Sequence, residues 1–277
     1  MAKTTFKRIA SYARYLIIPA ALIVITIWLF NTPPDLLGKA DGIGYAVCHR
    51  ISERSFHIGD RQLPLCARCS GMYLGAMAGL VFQIIVGRKR QNFPPWSVGV
   101  PLILFLFAFA IDGANSYVYL VKTVVPGALA NIPNLYVPNN VLRIITGSGM
   151  GLGLAALIYP AFNQTAWVQA EEKPALNWKG LLILVAIIVV IDLLTLTESP
   201  IVLYPAAFIS AGGVIALLTM VYTIVWMMLT GQENKFTRLP QMWLPLLAGM
   251  TIAFIQILAV DLLRLWLTGT WGAFPLN

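Results

Sequence analysis

Seven stretches of the chain are apolar without alternation: Ser11–Phe30, Gly71–Gly87, Ser97–Tyr117, Val141–Phe162, Gly180–Thr197, Tyr204–Leu229 and Met242–Thr268. A bilayer core of about 30 Å takes about 20 helical residues, so each run is long enough to span it. Lipid offers backbone amides no partners, which leaves helices and closed barrels as spanning structures. Barrel strands alternate apolar and polar side chains. These runs do not, so helix is the expectation throughout. Two of the breaks between runs stand out. Residues 31–70 form a long segment rich in Cys, His and Arg. Val118–Asn140 carries Pro126, Gly127, Pro133 and Pro138 and reads as an outer loop, on the surface or re-entrant. The pattern predicts an all-α fold, a polytopic transmembrane helix bundle of about seven helices. It forms one membrane domain over 1–277, with a folded extracytoplasmic Cys/His/Arg loop between the first two helices.

Composition agrees with this reading. Hydrophobic residues make up 58% of the chain and charged residues 11%, against about a quarter charged in soluble domains. A soluble enzyme, a disordered chain and a disulfide-stapled secreted mini-protein are excluded. The net charge of +8 does not point to nucleic acid, because the basic residues sit mostly between apolar runs, where topology places them. With the N-terminus inside, eleven basic residues lie inside and eight outside. Five of the outer ones, Lys39, Arg50, Arg54, Arg61 and Arg68, crowd into 31–70 against the positive-inside trend. The first run follows Lys3, Lys7, Arg8 and Arg14 and ends in Asn31-Thr32-Pro33-Pro34, with no small-x-small cleavage site. It reads as a retained signal anchor. The expected location is a bacterial or archaeal cytoplasmic (inner) membrane, multi-pass, with the N-terminus inside and the Cys/His loop outside.

The chain's three cysteines and two histidines, Cys48, His49, His57, Cys66 and Cys69, all fall between residues 48 and 69. A Cys-x-x-Cys pair supplies two thiolates from one turn. Cys48 with His49 or His57 would complete a tetrahedral set for zinc or another transition metal. An extracytoplasmic loop equally permits a disulfide or a redox-active Cys66/Cys69 couple, with one cysteine left over. A third reading is buried small cysteines beside hydrogen-bonded histidines. Covalent c-type haem does not fit, because Ser70 stands where the motif requires His. Arg50, Arg54, Arg61 and Arg68 are bidentate donors suited to phosphate or carboxylate, or to anionic lipid headgroups.

Asp112, Asp192 and Asp261 lie within the third, fifth and seventh runs, at similar depth in the outer half. Carboxylates inside a membrane are costly and are functional candidates by default. Arg143 and Arg264 are candidate partners, Arg264 lying three residues after Asp261. Asp112 precedes Gly113 and Asn115, a patch too polar for packing alone. Gly71, Gly75 and Gly79 form a small-residue stripe in the second run. The fourth run carries Gly147, Gly149, Gly151 and Gly153. Both runs are expected inside the bundle, packed against each other.

The residues Cys48-His49-Arg50, Arg54-Ser55-Phe56, Gly59 and Leu63-Pro64-Leu65-Cys66-Ala67-Arg68-Cys69-Ser70-Gly71-Met72-Tyr73-Leu74-Gly75 resemble a family of bacterial and archaeal membrane proteins of unknown function. Its pattern is C-H-R, R-S-F and L-P-L-C-A-R-C-T-G-I-Y-x-G. A second block, D-G then N-x-L-R-x-x-T-G-x-x-x-G, is similar to Asp112-Gly113 and Asn140-Val141-Leu142-Arg143-Ile144-Ile145-Thr146-Gly147 with Gly151. Ser70 and Met72 depart mildly from the pattern. The resemblance covers 41–153, and 180–268 reads as an additional three-helix segment. It implies that Cys48, His49, Arg50, Arg54, Cys66, Arg68, Cys69, Tyr73, Asp112, Asn140 and Arg143 belong to one signature, and it supplies no activity.

The expected function is a metal- or thiol-dependent site at the outer leaflet, in an enzyme acting on an anionic, phosphorylated, lipid- or isoprenoid-like substrate. In that reading Cys48, His49, His57, Cys66 and Cys69 supply metal ligands. Asp112, Arg143 and Asp192 do the chemistry, and Arg50, Arg54, Arg68, Tyr73, Asn140 and Asp261 hold the substrate. The alternatives are an ion or small-solute transporter using the intramembrane carboxylates, or a non-catalytic subunit of a membrane complex.

Overall fold

The computed structural model describes residues 2–272, with side chains from residue 15 onward. The basic side chains of Lys3, Lys7, Arg8 and Arg14 lie outside the described ones. The first apolar run is helix α1 (Ala2–Asn31), which stops at Pro33-Pro34. Asp35 caps a second helix, α2 (Leu36–Val47), by accepting the Gly38 N–H at 2.7 Å. The two helices meet at 106°, so α2 lies across the end of the bundle. The apolar pattern does not reveal α2, because it is only 12 residues long and carries Lys39 and Asp41. A 3₁₀ turn (Ser52–Arg54) and a two-stranded antiparallel hairpin, β1 (His57–Ile58) and β2 (Arg61–Gln62), complete the loop. The hairpin turns on Gly59 at φ +59°.

Six further helices follow: α3 (Ala67–Phe82), α4 (Trp96–Val124), α5 (Asn140–Ala166), α6 (Trp178–Leu196), α7 (Pro200–Leu229) and α8 (Trp243–Thr268). A wide π turn, Gln83–Gly87, extends α3, and a 3₁₀ turn, Leu239–Met242, leads into α8. Among the described residues six helices are long and apolar enough to cross a membrane. The bent α1–α2 pair passes the same test as one unit. The protein is therefore an all-α helix bundle of membrane-spanning type. A short parallel pair, β3 (Arg90–Asn92) with β4 (Glu171–Pro174), ties the end remote from the Cys/His/Arg loop.

Two boundaries differ from the apolar pattern in ways that shape the site. Helix α3 begins at Ala67, so Arg68 and Cys69 stand in its first turn, not in a loop. Helix α4 continues to Val124, carried by Val118-Tyr119-Leu120-Val121, and stops before Pro126 and Gly127, whose φ of +85° no helix continues. The following segment folds back on α4. The Asn115 amide donates to the Tyr136 carbonyl at 3.0 Å and accepts the Leu135 N–H at 2.9 Å.

The closest helix pair is α3 with α5. Gly71 and Gly75 meet the Ile144 and Ser148 backbone, while Gly147 and Gly151 meet that of Arg68 and Met72. A Cβ at any of the four would overlap a carbonyl. In lipid, where apolar burial drives little association, such close backbone approach replaces it. This contact brings the first turn of α3 against the first turns of α5.

Candidate functional site

The Cys48, Cys66 and Cys69 sulfurs lie within 4.8 Å of one another, and all three cysteines are free thiols. Cys48 ends α2, Cys66 is the N-cap of α3, and Cys69 sits one turn on. The chain brings α2 to α3 because Gly44 lets the Pro64 carbonyl approach, where a Cβ would overlap it. The Cys48 sulfur accepts the Cys66 N–H at 3.3 Å and the Arg50 N–H at 3.4 Å. Hydrogen bonds from the Cys48 and Cys69 thiols hold Cys66 well below the ordinary thiol value. The same bond pushes Cys48 up to about 12. A thiolate at a helix N-terminus is the nucleophilic and metal-ligating form of cysteine. Tetrahedral zinc with Zn–S bonds of about 2.3 Å sets sulfurs about 3.8 Å apart, which the cluster accommodates.

Neither histidine joins the cysteines. His49 is exposed, and its carbonyl accepts from Arg264 at 3.0 Å. His57, on β1, shares a 3.1 Å hydrogen bond with the Ser52 hydroxyl. The set that converges is Cys₃, which leaves a fourth tetrahedral position for water or substrate. Beside Cys48 lies a cavity of about 260 Å³ lined by Tyr45, Val47, His49, Val260 and Arg264. Tyr73 packs half-buried against the cluster.

A polar cluster adjoins the cysteines. Arg68, one residue before Cys69, donates to the Asp112 carboxylate through Nε at 3.0 Å and again through Nη2. The same guanidinium reaches the Asp112 carbonyl at 3.0 Å and the Ser116 hydroxyl at 2.9 Å. Asp112 also accepts from the Tyr136 hydroxyl at 2.7 Å and the Thr146 hydroxyl at 3.4 Å. Burial and the bond to Asp112 push the Tyr136 phenol up to about 12. Arg54 donates to the Ser116 carbonyl at 3.0 Å. Its burial, then the charge of Arg68, hold it below the ordinary guanidinium value. Arg143 donates to the Asn140 side-chain Oδ1 at 2.8 Å, not to an aspartate.

A family model described as "Predicted membrane protein (DUF2085)" matches residues 48–158. An uncharacterized protein of Methanothermobacter thermautotrophicus is 32% identical over 111 residues, 40% of this chain and 83% of that one. The chain belongs to this family. The uncharacterized protein MJ1492 of Methanocaldococcus jannaschii is 29% identical over 119 residues, 42% of this chain and 64% of that protein. No solved structure matches. The matched stretch begins at Cys48 and holds all three cysteines together with Arg54, Arg68, Asp112, Asn140 and Arg143. Asp192, Asp261 and Arg264 lie outside it.

The remaining expected residues sit apart. Arg50, at a left-handed backbone position (φ +54°), pairs with Asp41 at 2.9 Å and donates to the Trp271 carbonyl at 3.2 Å. Asp192 accepts the Ser148 hydroxyl at 2.7 Å and lines an apolar cavity of about 220 Å³ between α4, α5 and α6. Asp261, fully buried, accepts the Trp28 indole N–H at 3.3 Å, and its Oδ1 accepts no hydrogen bond. Arg264 is not its hydrogen-bonding partner. The guanidinium donates to the Tyr45 carbonyl at 2.7 Å and to those of Cys48 and His49, and stacks on the Tyr45 ring at 3.9 Å. Sequence reasoning missed this role, along with Ser116, Tyr136 and Thr146. Only Thr146 carried a signal, its place in the second block.

Proposed function

We propose that the protein is a metal-dependent membrane enzyme acting on an anionic, phosphorylated, lipid-like substrate at one face of a bacterial or archaeal cytoplasmic membrane. In this reading the loop faces outward and the N-terminus inward. The convergence of Cys48, Cys66 and Cys69 beside an arginine cluster carries the reading. Three thiolates suit zinc or a similar soft ion, and an open fourth position lets the ion act as a Lewis acid. Arg54 and Arg143 face the same region and would hold the anionic group. Asp112 fixes Arg68 and orients the Tyr136 hydroxyl. Metal content per chain, measured by mass spectrometry on protein purified in mild detergent without chelator, tests it. About one ion per chain, lost in Cys66→Ser/Cys69→Ser, is the expected result. No metal in either sample overturns the metal form and leaves thiol redox chemistry, which thiol counting measures.

A transporter is the second reading, favoured by Asp192 and Asp261, which lie buried in spanning helices with one hydrogen bond each. Proton flux into proteoliposomes under an imposed pH gradient, present in the wild type and absent in Asp261→Asn, would carry it instead.

A further inference from the structure

Three guanidiniums, Arg54, Arg68 and Arg143, gather around the buried carboxylate of Asp112, with the exposed Glu53 acting on Arg54 and Cys66 acting on both Arg54 and Arg143. Asp112 is taken up by Arg68, which meets it with two nitrogens. The other two cations hydrogen-bond only to neutral groups, the Ser116 carbonyl for Arg54 and the Asn140 amide oxygen for Arg143, and no salt bridge pairs either with a carboxylate among the described residues. Arg143 is 6% exposed, and its Nε is buried with no hydrogen-bond partner. A buried charge without a counter-charge is costly, so this position calls for an anion. Arg143 stands in the first turn of α5, whose dipole adds to the positive potential. Half-buried Arg54 and Asn140 give access from outside.

We infer that Arg54, Arg143 and Asn140 form a binding position for a phosphate group carrying about two negative charges, adjacent to Cys66. Two forks of N–H donors match the oxygens of a tetrahedral anion, and its charge suits two cations that no carboxylate grips directly. Arg68 is a positioning residue, held by Asp112 and buttressing the site from α3. The inference deepens the proposed function by naming where the phosphate sits, and it rests on that reading for the neighbouring ion.

The experiment is a thermal-unfolding titration of the full-length protein in neutral detergent. Inorganic phosphate is the first probe, with chloride at matched ionic strength as the control. Short-chain phosphatidic acid is the second, with phosphatidylcholine as its control. A saturable rise in Tm with phosphate and not with chloride is expected. The midpoint should move to about 10-fold higher concentration or more in Arg143→Gln and Arg54→Gln. Arg61→Gln, in an exposed pair with Asp35 and Asp41, should leave it unchanged. If Arg143→Gln does not fold, Arg143→Lys and the loop variant Arg54→Gln carry the test. A midpoint for phosphatidic acid well below that for phosphate identifies a lipid as the bearer. Equal midpoints identify the free anion, and both results support the site. No saturable effect, or identical curves in the arginine variants, overturns it. So does a loss of metal affinity in Arg143→Gln with phosphate binding intact, because the arginines would then balance the thiolates. Repeating the titration with Cys66→Ser/Cys69→Ser separates the two ideas. Phosphate binding there survives failure of the metal reading, and metal without phosphate binding in the wild type sinks this inference alone.

Discussion

Asp112 and Asp261 lie toward the same end of the bundle, each almost or fully buried in a long apolar helix, yet their surroundings are opposite. Asp112 receives a two-nitrogen grip from Arg68 and hydroxyls from Tyr136 and Thr146. Its network joins α3, α4, α5 and the segment between the last two. Asp261 has one long bond from Trp28 and an oxygen with none. A carboxylate in a membrane is costly in either setting. In one it fixes a junction of four chain segments next to three converging thiols. In the other it remains under-satisfied between α1 and α8. A charged residue inside an apolar run therefore marks a place to look, and only its partners say whether the charge holds the fold or stands ready for chemistry.

The largest expected effect is at the satisfied carboxylate. Asp112→Ala strips partners from Arg68, Tyr136 and Thr146 and leaves a third guanidinium without a paired carboxylate. Breaking a buried pair in this way costs about 3–5 kcal/mol. Unfolding in detergent, followed by circular dichroism against denaturant or temperature, should show a loss of that size. Asp261→Ala in the same assay should lose clearly less. Equal losses would mean that the two sites are energetically alike, whatever their hydrogen bonds.

Next in size is Arg264→Gln. This side chain reaches from α8 to the Tyr45 carbonyl in the last turn of α2 and to those of Cys48 and His49 just beyond it, satisfying groups that a helix end leaves open. Losing charged hydrogen bonds there costs about 1.5–3 kcal/mol. The consequence that separates Arg264 from a purely structural residue lies at the cluster. If Arg264 sets the place of Cys48, Arg264→Gln should weaken metal binding about 10-fold, read by competition with a chelator, with less change for Arg264→Lys. Unchanged metal affinity in a destabilised variant would confine Arg264 to the fold.

The sequence makes some of this legible and hides the rest, for physical reasons. Spanning helices announce themselves because lipid demands a long unbroken apolar run, and α4 through α8 lie close to the runs that predict them. The α3–α5 contact is legible in its glycines, since only small residues permit backbones to touch. Helix α2 is hidden because a short helix across the bundle end needs no such run. The same cause hides the start of α3, where Arg68 interrupts the apolar pattern that the helix itself ignores. Confinement of every Cys and His to one segment flags the site but not its ligand set. The Cys48 sulfur meets Cys66 and Cys69 through the close approach of α2, at Gly44, to the Pro64 carbonyl just ahead of α3, which no spacing encodes. The histidines, equally suggestive in sequence, end up apart from the sulfurs, His49 exposed and His57 half-buried on β1. The spacing of Asp261 and Arg264 suggests a helical pair, but the backbone carbonyls of Tyr45, Cys48 and His49, at and just past the end of α2, take the guanidinium's donors.

The smallest expected effect has the opposite sign and bears most directly on the contrast between the two carboxylates. Asp261→Asn keeps the shape of the side chain and an oxygen for the Trp28 indole, while removing a charge that one long hydrogen bond leaves poorly compensated. Replacing an under-satisfied buried charge by a neutral group of the same volume is neutral or stabilising, so the melting temperature should hold or rise, by the equivalent of about 1 kcal/mol at most. Asp112→Asn, equally isosteric, should fall, because the amide nitrogen confronts the donors of Arg68, Tyr136 or Thr146. A rise at 261 with a fall at 112 would leave Asp261 with no structural reason to be a carboxylate, and proton flux in proteoliposomes would then be the assay to apply to it. A fall at both positions would mean that Asp261 has a stabilising partner in the membrane, and its oxygen without a hydrogen bond would no longer single it out.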